Sequence, residues 1–269
     1  MKTGNFLSKL SLIYRNIRDQ LDKHAPSIKS PWGFTLAGNK SMAKGEFEQS
    51  ETQLFRELIK SADLLVNVGA NIGYYCCHAL SMGKDVIAIE PVHRNLFYLQ
   101  KNLLENGWEK KCQICPVSVG QTTDIVKIWG GQTGASIIKG WAGIPESYFN
   151  YVPQTTFDDL LFQKIEGRQV LVVADIEGAE YMMLLGATNS LKVEPKPLWM
   201  VEIVLNENQA SAELNPNFLN TFNIFFDAGY QAFNISDELQ EVTPDLLNQA
   251  LEKPSLISGY NFLFRPITN

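Results

Sequence analysis

Leu64-Leu65-Val66-Asn67-Val68-Gly69-Ala70-Asn71-Ile72-Gly73 decides how this chain folds. An apolar run of strand length breaks into a turn with glycine at positions 69 and 73, and a helix-forming stretch follows at once. The glycines leave no side chain between backbone and ligand, and the start of the helix supplies unpaired N–H groups. Val86-Ile87-Ala88-Ile89-Glu90-Pro91, with Glu90 seventeen residues beyond Gly73, reads as a second apolar strand ending in a carboxylate. An acid at the tip of a neighbouring parallel strand is placed to accept both hydroxyls of a ribose.

What the loop lacks narrows the ligand. A pyrophosphate-binding dinucleotide turn asks for glycine at position 71, and a phosphate-cradling loop ends in Gly-Lys-Ser/Thr, whereas this chain has Asn71 and Ile72-Gly73-Tyr74. A ribose-binding acid without phosphate chemistry points to a nucleoside cofactor, of which S-adenosylmethionine is the common one. A nucleotide-dependent dehydrogenase fits less well for want of the middle glycine.

Around this stretch the pattern alternates strand and helix. A helix over 46–61 precedes strand 63–68, helix 72–82, strand 85–90, a long amphipathic helix 93–106 closed by Gly107, and strand 111–119. Further on come helix 156–162, strand 169–175, helix 179–185, strand 198–205, helix 217–228 and strands near 230–235 and 260–265. This order predicts an α/β fold: a doubly wound, mostly parallel, Rossmann-like sheet of seven strands, with ligands at the carboxyl ends of the strands. Residues 1–45 read as an N-terminal helical extension and 46–269 as the main domain, with an insertion near 122–155. Trp129, Trp141, Tyr148, Phe149 and Tyr151 lie in that insertion, where Trp129 and Trp141 are candidate platforms for a substrate ring or members of a packed lid.

Composition limits the function classes. A formal net charge of −6 opposes a general nucleic-acid binder, which needs a Lys/Arg surplus. Cys76, Cys77, Cys112 and Cys115 read as buried small hydrophobes; Cys112-Gln113-Ile114-Cys115 has zinc-knuckle spacing but lacks two further ligands, so no metal is expected. No export signal or membrane-spanning run is read, which suits a cytoplasmic protein. The segment 6–24 interleaves Leu7, Leu10, Ile13, Tyr14, Ile17 and Leu21 with basic residues. Such a basic amphipathic helix suits packing over the domain, a contact with a second copy in a homodimer, or a membrane surface.

Val172-Val173-Ala174-Asp175-Ile176-Glu177-Gly178-Ala179-Glu180 places three carboxylates where a buried strand turns into a helix, a position facing the cofactor cleft in this topology. Methyl transfer from a sulfonium to a hydroxyl needs the hydroxyl's proton removed or its oxygen held, and Asp175 at the strand tip is the first candidate for that work. Glu177 and Glu180 also suit the first turn of a helix, where unpaired N–H groups favour acids. Glu202, at the end of the next strand, and Glu177 are candidate substrate contacts. His78 reads as a structural histidine and His93 as a neighbour of the Glu90 end; no hydrolytic triad stands out.

Several motifs in order resemble the FkbM-type family of S-adenosylmethionine-dependent methyltransferases. They are Val68 to Tyr74, Glu90-Pro91 with Leu99 and Asn102 to Gly107, Thr155-Thr156-Phe157-Asp158-Asp159-Leu160, and Asp175-Ile176-Glu177-Gly178-Ala179-Glu180 with Leu185-Gly186-Ala187. Val201-Glu202-Ile203 resembles the family's later strand. The resemblance implies a class I methyltransferase fold and O-methylation of sugars, glycans or secondary metabolites. By it, Asn67, Gly69, Ala70, Asn71 and Gly73 serve the methionine and ribose side, Glu90 the ribose hydroxyls, and Ser118 and Val119 the adenine. Two positions depart from the pattern: Asn67 stands where the family usually has an acid, and Ala174 where it usually has lysine. These departures sustain an alternative, a cofactor-binding partner protein without catalysis in a biosynthetic assembly.

Overall fold

A computed structural model describes residues 26–131, 133–209, 214–236 and 238–267. The helix expected over 6–24 lies outside the described residues. The chain enters through a small hairpin, β1 (Ile28–Lys29) and β2 (Thr35–Leu36), then α1 (Lys40–Lys44) and α2 (Gln49–Ser61). The alternating core is β3 (Leu64–Val68), α3 (Tyr74–Ser81), β4 (Asp85–Ile89), α4 (His93–Glu105) and β5 (Cys112–Cys115). A three-stranded sheet follows from β6 (Ser118–Val119), β7 (Asp124–Trp129) and β8 (Phe149–Thr155). The chain then returns to the core through α5 (Phe157–Ile165), β9 (Val170–Ala174), α6 (Glu180–Leu185) and β10 (Leu198–Glu202). It closes with α7 (Phe218–Asp227), β11 (Tyr230–Asn234), β12 (Gln240–Val242), α8 (Pro244–Glu252) and β13 (Asn261–Pro266).

The main sheet has the order β12-β11-β13-β10-β9-β3-β4-β5. The strands β10, β9, β3, β4 and β5 run parallel, and β13 inserts antiparallel between β10 and β11. Seven of the eight strands are the expected ones; the eighth, β12, is a short edge strand. Every residue of β3 and β9 is buried, as a strand covered on both faces requires. Alternate residues go to opposite layers. Val66, Val172 and Trp199 pack with Phe157, Met183 and Phe222 of α5, α6 and α7; Leu65, Leu171 and Met200 pack with Phe55, Ala79 and Leu99 of α2, α3 and α4.

The described part of the first forty-five residues packs onto this domain rather than standing apart from it. Phe34, Leu36 and Met42 join Tyr74, Cys77 and Tyr98 in one cluster. Buried Asn102 stitches the joint, accepting from Ala37 N at 2.7 Å and donating to the carbonyls of Ala37 (3.1 Å) and Ile72 (2.8 Å).

One expected strand divides. The run 111–119 ends as a strand at Cys115, because Pro116 has no N–H for the ladder, and Ser118–Val119 pairs instead with Gln154 and Thr155 of β8. The insertion is therefore a β-hairpin whose register runs from Asp124 opposite Gln154 to Trp129 opposite Phe149.

Register is what builds the site. Val68 lies beside Ile89 and Ala174, and Ala174 beside Val201. The row immediately after these aligned tips is Gly69, Glu90, Asp175 and Glu202. Residues far apart in sequence thus meet at one end of the sheet, where the parallel strands stop and their backbone groups seek new partners.

Candidate active site

Beyond β3 the backbone turns sharply, with φ of 80° at Gly69, 50° at Asn71 and 87° at Gly73. The Gly69 and Ala70 amides both donate to Ile89 O at 2.9 Å, pinning the turn to β4. A Cβ at Gly69 would sit 1.9 Å from the Asp175 carbonyl, so no larger residue fits between the tips of β3 and β9. Gly73 caps the start of α3, and a Cβ there would strike Leu99. It lines neither cavity described below; its contribution is the turn itself.

Two adjoining cavities open at this end of the sheet. The first, about 600 Å³, is lined by Gly69, Asn71, Glu90, Ser118 and Val119 together with Asn95, Asp175 and Glu177. Glu90 is buried, with Oε2 accepting from Asn71 N and Oε1 from Val92 N, each at 2.7 Å. A carboxylate has about four lone-pair positions. Asn71, Val92 and Asn95 occupy three of them, and the one left over can receive a ribose hydroxyl, so the residues present fit a nucleoside cofactor. Burial raises the Glu90 carboxyl to about 7. Its hydrogen bonds from Val92, Asn71 and Asn95 oppose that rise. The far wall comes from the insertion: Ile128 of β7 with Ala135 and Ile137 of the loop that follows.

The second cavity, about 950 Å³, shares Gly69, Asn71, Thr133, Asp175 and Glu177 with the first. Its lining carries five carboxyls, from Glu48, Asp175, Glu177, Glu202 and Glu207, and no Lys, Arg or His among the described residues. Tyr74, Tyr75, Tyr260 and Phe47 supply aromatic surface. Tyr75 donates from its hydroxyl to Glu48 Oε2 at 2.8 Å.

Asp175 stands where the two cavities meet. It is open to the cavities yet enclosed by protein, and its carboxyl is pushed well above the ordinary range by desolvation first and then by Glu177, Glu48, Glu180 and Glu90. Glu202 is raised for the same reasons, burial first and Asp175 next. Glu177 adopts a left-handed conformation (φ 58°), and its Oε2 accepts from the Trp141 indole at 2.7 Å. Burial raises it, while the bonds from Trp141 and Gly134 pull it back. Glu180 points away from both cavities and caps its own turn, with Oε1 accepting from Ile176 N (3.1 Å) and Gly178 N (3.2 Å). Desolvation lifts it to about 7.

The structure brings most of the sequence candidates together, but not in one place. Gly69, Asn71, Glu90, Ser118 and Val119 line the first cavity; Asn67 and Ala70 lie on the second. Asn67 is turned toward Cys76, its Nδ2 3.5 Å from Sγ. Neither tryptophan candidate reaches a cavity. Trp141 is 1% exposed and braces Glu177 from behind, under Gly178. Trp129 donates from its indole to the Glu146 carbonyl on the outer side of the hairpin. His78 is fully buried, 3.0 Å from Arg56 and held down to about 3 by desolvation and then that guanidinium. No group of metal-holding side chains exists among the described residues, and no described helix is long and apolar enough to cross a membrane.

Sequence reasoning missed Glu48, Tyr75, Tyr260 and Asn95, along with Ile128, Ala135 and Ile137 of the wall. Glu48 precedes the first residue of α2 in a left-handed conformation, which no spacing rule announces. Asn95 sits at the third position of an amphipathic helix whose buried face was otherwise read as apolar.

No curated protein matches the chain. Among solved structures it is similar to a methyltransferase FkbM from Methylobacillus flagellatus KT, at 18% identity and TM-score 0.47, covering 76% of this chain and 44% of that one. The chain thus spans less than half the length of that protein. It is also similar to an O-methyltransferase from Bacillus cereus in complex with SAH, at 11% identity and TM-score 0.43, covering 83% of each chain. A geranyl diphosphate C-methyltransferase from Streptomyces coelicolor A3(2) is similar at 10% identity and TM-score 0.46, covering 82% of this chain and 79% of that one. Residues 67–232 match the model of the methyltransferase FkbM domain, a stretch that holds Asn67, Glu90, Asp175 and Glu202, and the chain belongs to that family of methyltransferases.

Proposed function

We propose that this methyltransferase transfers a methyl group to a hydroxyl of a saccharide or a comparably hydroxylated metabolite, with the cofactor in the Glu90 cleft and the acceptor in the adjoining acidic cavity. The observation that carries the reading is the position of Asp175, which lines both cavities at their junction. S-adenosylmethionine, when bound, supplies a methyl group on a positively charged sulfur. Glu90 and the Asn71 turn would hold its ribose, Ser118 and Val119 its base, and Ile128, Ala135 and Ile137 would exclude water from the cleft.

Asp175 handles the proton. In the free protein burial and four neighbouring carboxyls disfavour its charge, so it holds a proton more tightly than an ordinary carboxyl. Facing both cavities, the ionised Asp175 would accept the proton of the acceptor hydroxyl as the methyl is transferred. Glu202, Glu177 and Glu48 accept hydrogen bonds from further hydroxyls, and Tyr74, Tyr75 and Tyr260 offer faces to a sugar ring. Those lining carboxyls that are ionised, Glu48 above about pH 7 among them, oppose phosphates and uronates by like charge.

The test is isotope-labelled methyl transfer across a panel of glycosides and polyols, with Asp175→Asn beside the wild type. Loss of a general base lowers kcat by about 10²–10⁴-fold. S-adenosylhomocysteine affinity should stay within a few-fold. Full turnover in Asp175→Asn would remove the base role. A wild type that binds cofactor and methylates no panel member would favour the non-catalytic binding protein.

A further inference from the structure

Asn95 is the third residue of α4, only 3% exposed, and it lines the Glu90 cleft. Its side-chain amide hydrogen bonds to the Glu90 carboxyl, a contact that favours the ionised form. Glu90 has only acceptors to offer when ionised, so Nδ2 makes that contact and Oδ1 is left for another donor. Oδ1 is buried and has no hydrogen-bond partner among the described residues. Of the buried polar atoms in that condition, it is the one whose side chain lines either cavity. A buried carbonyl oxygen without a donor is costly, and most such atoms in proteins are satisfied.

The donor it lacks must come from the cleft. We infer that Asn95 reads the sugar of the cofactor, with Oδ1 accepting the proton of one ribose hydroxyl while Nδ2 fixes the Glu90 carboxylate that receives the other. This rests on the reading of the cleft as the cofactor site. Because the two side chains are hydrogen bonded to each other, a hydroxyl that approaches Glu90 comes within reach of Oδ1 as well. Two acceptor positions, one on Glu90 and one on Asn95, then converge on a diol, and a phosphorylated ribose meets only acceptors and is rejected. Asn95 is thereby a specificity residue as well as a positioning residue.

The experiment is calorimetric titration with S-adenosylhomocysteine and its 2′-deoxy and 3′-deoxy forms, on the wild type and on Asn95→Ala and Asn95→Leu. Thermal melting without ligand shows which variants are folded. One neutral hydrogen bond corresponds to a loss of about three- to tenfold in affinity for S-adenosylhomocysteine. For one of the two deoxy forms, wild type and variants should bind alike, since the bond is already gone. Variants that bind S-adenosylhomocysteine as the wild type does would overturn the inference. So would equal weakening for all three ligands, which would mean that Asn95 acts through Glu90 or on the base. If neither variant folds, the wild type still decides: unchanged affinity for both deoxy forms would overturn it. A wild type that ignores S-adenosylhomocysteine altogether, or binds it equally well as Glu90→Ala, would remove the cofactor reading of the cleft and this inference with it.

Discussion

Glu48, Glu90 and Glu180 are all lifted from an ordinary 4.5 to about 7 by burial. An acid raised in this way holds a proton in the folded protein that the unfolded chain has already released. The stability it contributes is complete below about 4.5 and is lost as pH rises through about 7. The free protein should therefore melt at progressively lower temperature across that window. Ligand binding runs the other way. Ribose hydroxyls need the ionised Glu90, so S-adenosylhomocysteine affinity should rise by up to about tenfold per pH unit until pH reaches 7 or so and then level off, with release of a proton into the buffer. Titrations in buffers of different ionisation enthalpy measure that proton directly. Glu90→Gln should flatten the slope, and an unchanged slope would assign the proton elsewhere. Glu90 was legible in the sequence because its place follows from a strand, a glycine turn and a second strand. Asn95 was not, because a buried amide inside a helical stripe looks like any polar interruption until its neighbours are known.

At the scale of elements, the hairpin β7–β8 and its loop are the part that the sequence described least well. Gly-rich, aromatic-rich stretches suggest a lid, but the expected platforms, Trp129 and Trp141, serve packing, while Ile128, Ala135 and Ile137 form the wall. Aromatic content marks where area is buried, not which face receives it. By contrast, the helices and strands of the alternating core follow their apolar periods to within a few residues, since each is held on both sides by neighbours of the same pattern. Short β12 and α8 escaped notice, although Thr243-Pro244 marks the start of α8: Thr243 accepts from Leu246 N, with proline at the first turn. The wall makes a prediction of its own. Ile137→Ser should weaken S-adenosylhomocysteine by about 1 kcal/mol, roughly fivefold, mainly through faster dissociation. Stopped-flow displacement measures it. The melting temperature of the free protein should hardly move, because Ile137 is only half-buried at the rim of a small cluster. An equal fall in stability and affinity would make it an ordinary core residue.

Across the whole molecule, charge is concentrated unevenly. The formal net charge is −6, yet the acceptor cavity alone gathers five carboxyls with no Lys, Arg or His among its described lining. A field of one sign in an enclosed space repels anions more strongly than a solvated surface does. Among matched acceptors, KM should be higher for uronate or phosphorylated sugars than for neutral ones. The gap should narrow as pH falls through about 7 and Glu48 takes up its proton. Initial rates of labelled methyl transfer at two pH values test this, and equal KM values would show that the cavity is neutral in use. The register that places Gly69, Glu90, Asp175 and Glu202 in one row also couples the site to its interior bracing. Trp141 is sealed from solvent, and its indole is bound to the very carboxylate that borders both cavities. Excited indole is sensitive to the charge and polarity beside it, so the protein carries its own optical gauge of occupancy. Emission that shifts on loading in the wild type, and not in Trp141→Phe, would follow cofactor and acceptor arrival in real time without any label.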